Sequence, residues 1–289
     1  MFAFIDDHRQ SYPIVLLCKA LGISASDYYA WRRRPLSRRA EGDCVLQRRI
    51  AAIHAASRGI YGSPKIHAQL QQEGLACSRK RVIRLMRQAH VCAKRQRCFK
   101  RTTRRNPAHT PAPNRLEQHF AAAQPDQVWL ADITYICTAE GWLYLAAVMD
   151  LFTRAIVGWS MADHLQATLV EQALLMALGR RRPTGNVLHH SDQGSQYTSD
   201  LIQSLLAAHH IQVSMSGVGN CYDNAPMESF FGRLKTECVT APFATRAEAR
   251  LVIFEHIEVW YNRQRLHSAL GFLSPATFEQ RHYETFPVR

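Results

Sequence analysis

The sequence lacks the long apolar runs and paired cysteines that mark several classes of protein. No uninterrupted apolar stretch reaches the roughly 18 residues that a transmembrane helix needs. Residues 1–7 lack the cationic start and long apolar stretch of a signal peptide. The eight cysteines include no Cys-x-x-Cys pair, so neither a disulfide framework nor a zinc ribbon is supported. We therefore expect a cytoplasmic protein whose reduced thiols mostly fill the core.

Acidic residues are scarce in the first part of the chain. Residues 1–116 hold 24 Lys and Arg against 6 Asp and Glu, whereas residues 117–289 hold 12 against 17. No acid at all occurs from Gly74 to Arg115. An electropositive half of this kind indicates a polyanionic partner, most simply nucleic acid. A basic face is often only solvated surface, so the imbalance alone leaves both interpretations open.

The basic half contains a candidate helix-turn-helix over residues of about 63–90. Ser63-Pro64 is a cap followed by a proline in the first turn, and residues 74–77 form a turn before a second helix that Ser78 caps. The second helix has an apolar stripe on one face and cations on another. This pattern predicts a recognition helix in a DNA groove, and the alternative is an amphipathic surface helix.

The cations of this helix and of the segment after it are the candidate DNA contacts. Lys80, Arg84 and Arg87 follow i, i+4, i+7 spacing on the second helix. Further basic residues extend the positive field beyond the helix. The candidates there are Lys94, Arg95, Lys100 and Arg101.

A proline-rich stretch divides the chain. Residues 106–114 hold three prolines and fit an extended linker. We predict a basic helical DNA-binding region over residues 1–105 and a linker over residues 106–120. An α/β core is then expected over residues 121–240, followed by a C-terminal helical extension of the core over residues 241–289.

The pattern of the core alternates between strands and helices. Runs rich in β-branched and aromatic residues predict three antiparallel strands, and two further strands alternate with helices after them. The predicted strands are residues 128–136, 142–149, 155–160, 187–191 and 211–215, and the predicted helices between them are residues 168–179 and 199–209. A mixed five-stranded sheet flanked by helices follows. Thr245 and Glu248 form a capping box that opens a last long helix.

Three carboxylates in the core suit the chemistry of divalent metals. Asp132 lies in the apolar run Trp129–Tyr135, Asp192 follows a buried strand, and Glu228 lies near the start of a helix, with 35 residues between it and Asp192. Each alone has a structural explanation, as a strand-edge, turn or first-turn acid. Together they need a cation, because clustered and partly dehydrated carboxylates repel one another. Acidic oxygens are the ligands that Mg²⁺ accepts, and two such ions can act on a phosphodiester.

Other polar residues are candidates for supporting roles. Lys235 lies seven residues after Glu228 and on nearly the same helix face, so it is a candidate phosphate contact as well as a simple surface lysine. His190 and Asn224 are candidates for orienting the acids, since magnesium prefers oxygen ligands to a direct imidazole.

Two further acids compete for the site, and one hydrolytic motif is missing. Asp150 is interpreted as structural, and Asp223 as a residue that orders a turn or caps a helix. Gly-x-Ser-x-Gly is absent around Ser195, so the sequence gives no support to serine hydrolysis.

The ordered motifs resemble the DDE transposase and retroviral integrase superfamily, and more closely the OrfB type of insertion-sequence transposase. Beyond the acids, the likeness extends to Arg58–Pro64, Tyr144–Asp150, Arg154–Trp159, Gly219–Gly232 and Trp260–Gly271. The resemblance implies an integrase-like catalytic core with a ribonuclease-H-like fold. It also implies that Asp132, Asp192 and Glu228 bind two Mg²⁺ or Mn²⁺ ions, cut the element's ends and let a 3′-hydroxyl attack another phosphodiester.

The resemblance also implies partners. Double-stranded DNA is expected at the element's ends and as target, which makes the protein nucleoid-associated, and joining two ends calls for a homo-oligomer. A first-frame product, OrfA, is expected as a partner or fusion that supplies a further helix-turn-helix and a coiled coil. The alternatives are a non-catalytic DNA-binding regulator and a ribonuclease-H-type nuclease that only hydrolyses.

Overall fold

The computed structural model describes residues 1–35, 37–94, 112–217 and 221–286, with the backbone alone for residues 221 and 222. Six helices precede the sheet within these ranges. They are α1 Phe2–His8, α2 Ile14–Ala20, α3 Ala25–Arg33, α4 Arg38–Ala56, α5 Ser63–Gln72 and α6 Arg79–Gln88. The predicted helix-turn-helix is present as α5 and α6, and the Ser78 hydroxyl caps α6 by accepting from Arg81 N at 3.2 Å.

Helix α4 packs against both helices of this pair, although the sequence analysis does not predict it. Its Leu46, Ile50 and Ile53 are buried at i, i+4, i+7 spacing. They share one apolar cluster with the inner faces of α5 and α6, from which the buried members are Ile66, Leu70, Val82, Leu85 and Met86. We refer to α4, α5 and α6 as the helical unit.

The predicted mixed sheet of five strands is confirmed. Its strands are β1 Val128–Thr138, β2 Gly141–Asp150, β3 Ile156–Ala162, β4 Leu188–Ser191 and β5 Gln212–Met215. The order across the sheet is β3-β2-β1-β4-β5. The first three strands pair antiparallel, and β4 and β5 run parallel to β1. This order and these directions are those of the ribonuclease-H-like fold.

Helices cover both faces of the sheet. One face packs against α7 Ala167–Arg181 and α8 Asp200–Ala208. The other packs against α9 Ala225–Cys238 and α10 Arg246–Glu255. Side chains alternate along β1, with Trp129 and Ala131 toward α7 and Leu130 and Ile136 toward α9. By the same alternation Asp132 lies on the α9 face.

The C-terminal extension differs from its prediction in two ways. Thr245 caps α10 as predicted, its hydroxyl accepting from Glu248 N at 3.1 Å. The chain then continues as a π-helix, His256–Tyr261, which was not predicted. The last helix is α11, Pro275–Thr285, and not the helix that Thr245 opens. Because a π-turn holds more residues than an α-turn, Tyr261 joins the sheet core while Trp260 packs into the helical unit.

The helical unit and the C-terminal extension are in direct contact. Trp260 and Leu266 complete the apolar cluster of the helical unit. Arg58 forms an ion pair with Glu255, and its guanidinium lies over the Trp260 ring at 5.2 Å from the centroid. The Tyr61 hydroxyl accepts from Leu266 N at 2.8 Å. These contacts fix the helical unit against the chain that follows the core.

The end of the predicted linker packs against the core. Leu116 is buried in the cluster on the α9 face. Asn114 and Gln118 both donate side-chain amide hydrogens to Asp223, at 3.0 and 2.9 Å. Residues 106–111 lie outside the described ranges, so the exact domain boundaries stay a prediction.

Two expectations about composition can be compared with the structure. Six of the eight cysteines are described as free thiols, and Cys18 alone among them is buried. Cys77 and Cys238 are partly buried against the apolar clusters, whereas Cys92 and Cys137 are exposed. The expectation that the thiols mostly fill the core therefore holds for three of these six. Across the described ranges, no helix combines the length and apolarity needed to cross a bilayer.

Strand β3 and helix α7 approach each other closely at Gly158, so a larger side chain there should destabilise the fold. A Cβ on Gly158 would lie 2.2 Å from Ala173 O and 2.8 Å from Ala177 Cβ, so Gly158→Ala forces the helix away from the sheet. Overpacking of this kind costs about 1 to 3 kcal/mol of the free energy of unfolding. The matched control is Gly179→Ala on α7, where a Cβ meets nothing within 4 Å. Urea denaturation that gives both variants the same midpoint contradicts this account.

Candidate active site

The parallel pairing of β1 with β4 brings two predicted acids together. The ladder pairs Trp129 with His189 and Leu130 with His190. Continued by two residues, this register sets Asp192, just after β4, opposite Asp132 on β1. Neighbouring strands lie about 4.8 Å apart, so the two carboxylates are close on the side covered by α9.

Local hydrogen bonds orient these carboxylates. Asp132 Oδ1 accepts from Ile133 N at 2.7 Å, and Asp192 Oδ1 accepts from Gly194 N at 3.0 Å. A Cβ on Gly194 would lie only 3.0 Å from Asp192 Oδ1. The glycine therefore lets the backbone close around the carboxylate, a role that the sequence analysis did not assign to it.

The electrostatics of the pair are unfavourable without a cation. Burial, together with the negative charges of Asp192 and Glu228, raises the pKa of Asp132 to about 8. Burial also raises the pKa of Asp192. Lys235 acts in the opposite direction on Asp132, as predicted from its position on α9. Two neighbouring acids in this state hold a proton or a metal ion between them.

Glu228 lies in the first turn of α9 with an exposed side chain. The negative charge of Glu228 contributes to the raised pKa of Asp132. Within the ranges that the structure describes, no three His, Cys, Asp or Glu side chains already form a group that can hold a metal ion. The structure thus brings Asp132 and Asp192 together and leaves Glu228 nearby, outside a closed ligand set.

Asn224 ties the start of α9 to the strand that carries Asp132. Its side-chain nitrogen donates to Ala131 O at 3.0 Å. Asn224 occupies the N-cap position of α9 without a side-chain cap, and its buried Oδ1 accepts no hydrogen bond from the described residues. The bond to Ala131 holds the first turn of α9, and with it Glu228, beside the acids, which agrees with a supporting role for Asn224.

Two buried rings lie behind the acids. Tyr197 and His189 are buried with ring centroids 6.0 Å apart. Burial raises the pKa of Tyr197 well above its usual value, and Asp132 and Asp192 add to the effect. Burial lowers the pKa of His189 to about 4, so this imidazole is neutral at physiological pH. The floor of the site therefore supplies no positive charge.

His190 makes its hydrogen bonds to β5. Its Nδ1 lies 2.8 Å from the Ser214 hydroxyl and its Nε2 lies 3.2 Å from the Ser216 hydroxyl. The ring is fully buried. These contacts hold β4 to β5 and so fix the strand that leads to Asp192. An orienting role for His190 remains a prediction, exerted through the strand.

The two rival acids have structural partners. Asp150 is buried and accepts from Asp126 N, Thr153 N and the Thr153 hydroxyl, which confirms its structural interpretation. Asp223 accepts from Gly217 N at 2.7 Å in addition to the two amides of the preceding segment. It therefore orders the chain between β5 and α9, one of the two roles predicted for it.

The predicted DNA contacts on α6 divide into two groups. Lys80 and Arg87 are exposed. Arg84 instead pairs with Asp43 of α4 at 2.6 Å, and Arg81 pairs with the same carboxylate at 2.7 Å. Hydrogen bonds from both guanidiniums lower the pKa of Asp43. Arg84 thus joins two helices of the unit, a structural role that its spacing in the sequence did not reveal.

The remaining candidates lie after α6 and on α9. Lys94 is exposed and Lys235 is half-buried. Arg95, Lys100 and Arg101 lie outside the described residues.

Family models match three parts of the chain. A model described as an HTH-like domain matches residues 41–99 and so includes α4 together with α5 and α6. A model described as an integrase core domain matches residues 122–221, and a second integrase core domain model matches residues 209–275.

Two proteins of insertion elements are similar to the chain over most of its length, and one solved structure is similar to it at low sequence identity. The catalytic core domain of HTLV-2 integrase in complex with magnesium is 15% identical, with a TM-score of 0.42, and covers 55% of this chain and 99% of that one. An uncharacterized 31 kDa protein of insertion element IS600 from Shigella sonnei is 42% identical over 93% of this chain and 99% of the relative. Transposase InsF of insertion sequence IS3A from Escherichia coli (strain K12) is 40% identical over 97% of this chain and 98% of its own length. The chain therefore belongs to the IS3 family of insertion-sequence transposases.

Proposed function

We propose that this transposase cuts and joins DNA at a site in which Asp132, Asp192 and Glu228 hold two divalent metal ions, Mg²⁺ or Mn²⁺. The observation that carries the proposal is the position of Asp132 beside Asp192 on adjacent parallel strands, with the pKa of Asp132 raised to about 8. A hard divalent cation fits this pair, because its donors are carboxylate oxygens and their mutual repulsion needs positive charge. Glu228 completes the set once the three carboxylates are drawn together.

The residues around the acids have different roles in phosphoryl transfer. The metal pair, when bound, neutralises charge on the phosphodiester and activates the attacking oxygen. Lys235, on the same helix as Glu228, contacts a phosphate beside the acids, and Asn224 holds the first turn of α9 to β1. The reactions are cleavage at the element's ends, with a water as nucleophile, and attack of the freed 3′-hydroxyl on a second phosphodiester.

DNA is held mainly by the basic region before the core. Lys80 and Arg87 are exposed on α6, so that helix can enter a DNA groove while Arg84 holds it to α4. We further propose that the chain acts as an oligomer on two element ends and that a first-frame partner adds a further DNA-binding module. We also propose the division into residues 1–105, 106–120, 121–240 and 241–289.

The acid pair gives a prediction about activity. Asp192→Asn removes a ligand and should reduce both cleavage and joining by more than the roughly 100-fold typical of outer-shell partners, with little effect on DNA affinity. The control is Asp163→Asn, an exposed acid after β3, which should be as active as the wild type. Joining by Asp192→Asn at the wild-type rate contradicts the proposal. Cut but unjoined wild-type product would instead support a purely hydrolytic nuclease.

The raised pKa of Asp132 gives a prediction about stability. Without metal, the folded chain keeps a proton on Asp132 up to about pH 8, whereas the ordinary value is 3.8. Folding takes up a proton between these values, so stability is greatest at the acid end and falls as pH rises through the window. In EDTA, the Tm of the wild type should fall more steeply than that of Asp132→Asn.

The same variant tests metal binding. Mn²⁺ at about pH 8 should raise the Tm of the wild type, because it binds the folded chain and takes the place of the proton. It should leave the Tm of Asp132→Asn nearly unchanged. Equal stabilisation of both proteins, or equal pH slopes in EDTA, would rule out a metal at this pair.

The cations of α6 give a prediction that separates DNA contact from structure. Lys80→Gln and Arg87→Gln should each lower the log-log salt slope of duplex binding by about 0.9 with no change in Tm. Arg84→Gln should instead lower the Tm, because it removes one of two partners from Asp43. Measuring binding by fluorescence anisotropy and Tm by circular dichroism distinguishes the two classes. Identical behaviour of all three variants contradicts the assignment.

A further inference from the structure

A cationic cleft lies between the helical unit and α9, on the side away from Glu228. Its volume is about 310 Å³, at the lower end of the range for ligand pockets. Gly62, Pro64, Lys65 and Lys94 line it from the helical unit and the residues that follow α6. Arg233 of α9 and Arg265 of the C-terminal extension line the opposite side. Cations from three separate parts of the chain therefore line the same cleft.

The acid in the cleft does not balance this charge. Among the described lining residues the acid is Glu237, and its carboxylate already accepts from Arg265 Nη2 at 2.7 Å and Nε at 3.0 Å. Burial raises the pKa of Glu237, but Arg265 holds it below the usual range. Glu237 and Arg265 thus neutralise each other. Lys65, Lys94 and Arg233 are left as excess positive charge, and no ion pair with an acid is found for them within the described ranges.

The surroundings of Lys65 disfavour its charged form. Its ammonium lies 5.0 Å from the centroid of the Tyr61 ring, and the side chain is half-buried. Burial and the nearby Arg265 and Arg233 lower the pKa of Lys65 to about 7, although Glu237 opposes them. An anion in the cleft would restore the charged form.

The start of helix α5 adds hydrogen-bond donors to the same space. Gly62 is its N-cap and supplies no side chain to cap it, and Gly62 and Pro64 both line the cleft. Free backbone N–H groups and the helix dipole favour an anion at such an end. The segment Arg58–Pro64, which carries part of the family resemblance, therefore has a physical role at this place.

We propose that this cleft binds a backbone phosphate of the element-end DNA. Lys65, Lys94 and Arg233 neutralise it and the first turn of α5 donates hydrogen bonds to it. The DNA that α6 grips is thereby fixed against α9, the helix that carries Glu228 and Lys235. This inference rests on the proposed function, since it assumes that the chain binds the element's ends.

The salt dependence of DNA binding tests the proposal on the full chain. The probe is a duplex of the element's end, titrated in EDTA between about 50 and 200 mM salt. The double variant Lys65→Met, Arg233→Gln should lower the log-log slope by up to about 0.9, because both cations contact the same phosphate. The matched control is Arg281→Gln, an exposed cation on α11 outside the cleft, whose slope should equal that of the wild type. A folded double variant with the wild-type slope overturns the proposal.

A second measurement uses the unaltered protein and so does not depend on the folding of a variant. The Lys65 ammonium is titrated by NMR in the free chain and in the chain bound to the duplex. Its pKa should rise on DNA binding, and an unchanged pKa overturns the proposal. Inorganic phosphate at the same phosphate concentration should give a smaller rise, and an equal rise would mean a site for small anions instead of DNA.

These tests remain separable from the tests of the proposed chemistry. Both are run without metal, and Asp192→Asn should show the wild-type slope. If the wild type fails to join DNA, the slope comparison still holds. If the double variant keeps the slope, metal-dependent joining by the wild type still stands.

Discussion

The constraint on which the site depends is the repulsion between two carboxylates held side by side. Asp132 is held beside Asp192, because β1 pairs with β2 along nearly its whole length and with β4 as far as Leu130, and helices cover both faces of the sheet. The strain of the arrangement is expressed in the pKa of Asp132, which burial and its acidic neighbours raise to about 8. A fold that keeps such a pair half-buried and side by side is suited to bind a cation.

Helix α9 connects this site with the helical unit. Its 14 residues span about 20 Å at 1.5 Å per residue. Asn224 ties its first turn to β1 at 3.0 Å. Near its other end, Glu237 accepts from Arg265 and from Trp260 Nε1, the latter at 3.2 Å. Since Trp260 belongs to the apolar cluster of the helical unit, a displacement of that unit acts directly on the helix that carries Glu228.

Much of the fold was predictable because its signals are local. The five strands and the capping box at Thr245 were found from periodicity and caps, and the approach of Asp132 to Asp192 follows from the parallel pairing of their strands. Helix α4 was missed because charges and Gly42 hide the spacing of its buried residues. Trp260 of the π-helix packs into the helical unit instead of the sheet core, and the use of Arg84 to hold Asp43 depends on a contact 41 residues away in sequence. Such features come from tertiary packing, which a single sequence does not display.

The central claim is that Asp132, Asp192 and Glu228 share divalent metal ions. The most direct measurement is anomalous scattering from crystals of the protein grown with Mn²⁺ and element-end DNA. The account predicts two peaks, about 4 Å apart, with carboxylate oxygens of Asp132 and Asp192 as ligands and Glu228 moved in to join them. Manganese bound elsewhere, with no peak between Asp132 and Asp192, would contradict it.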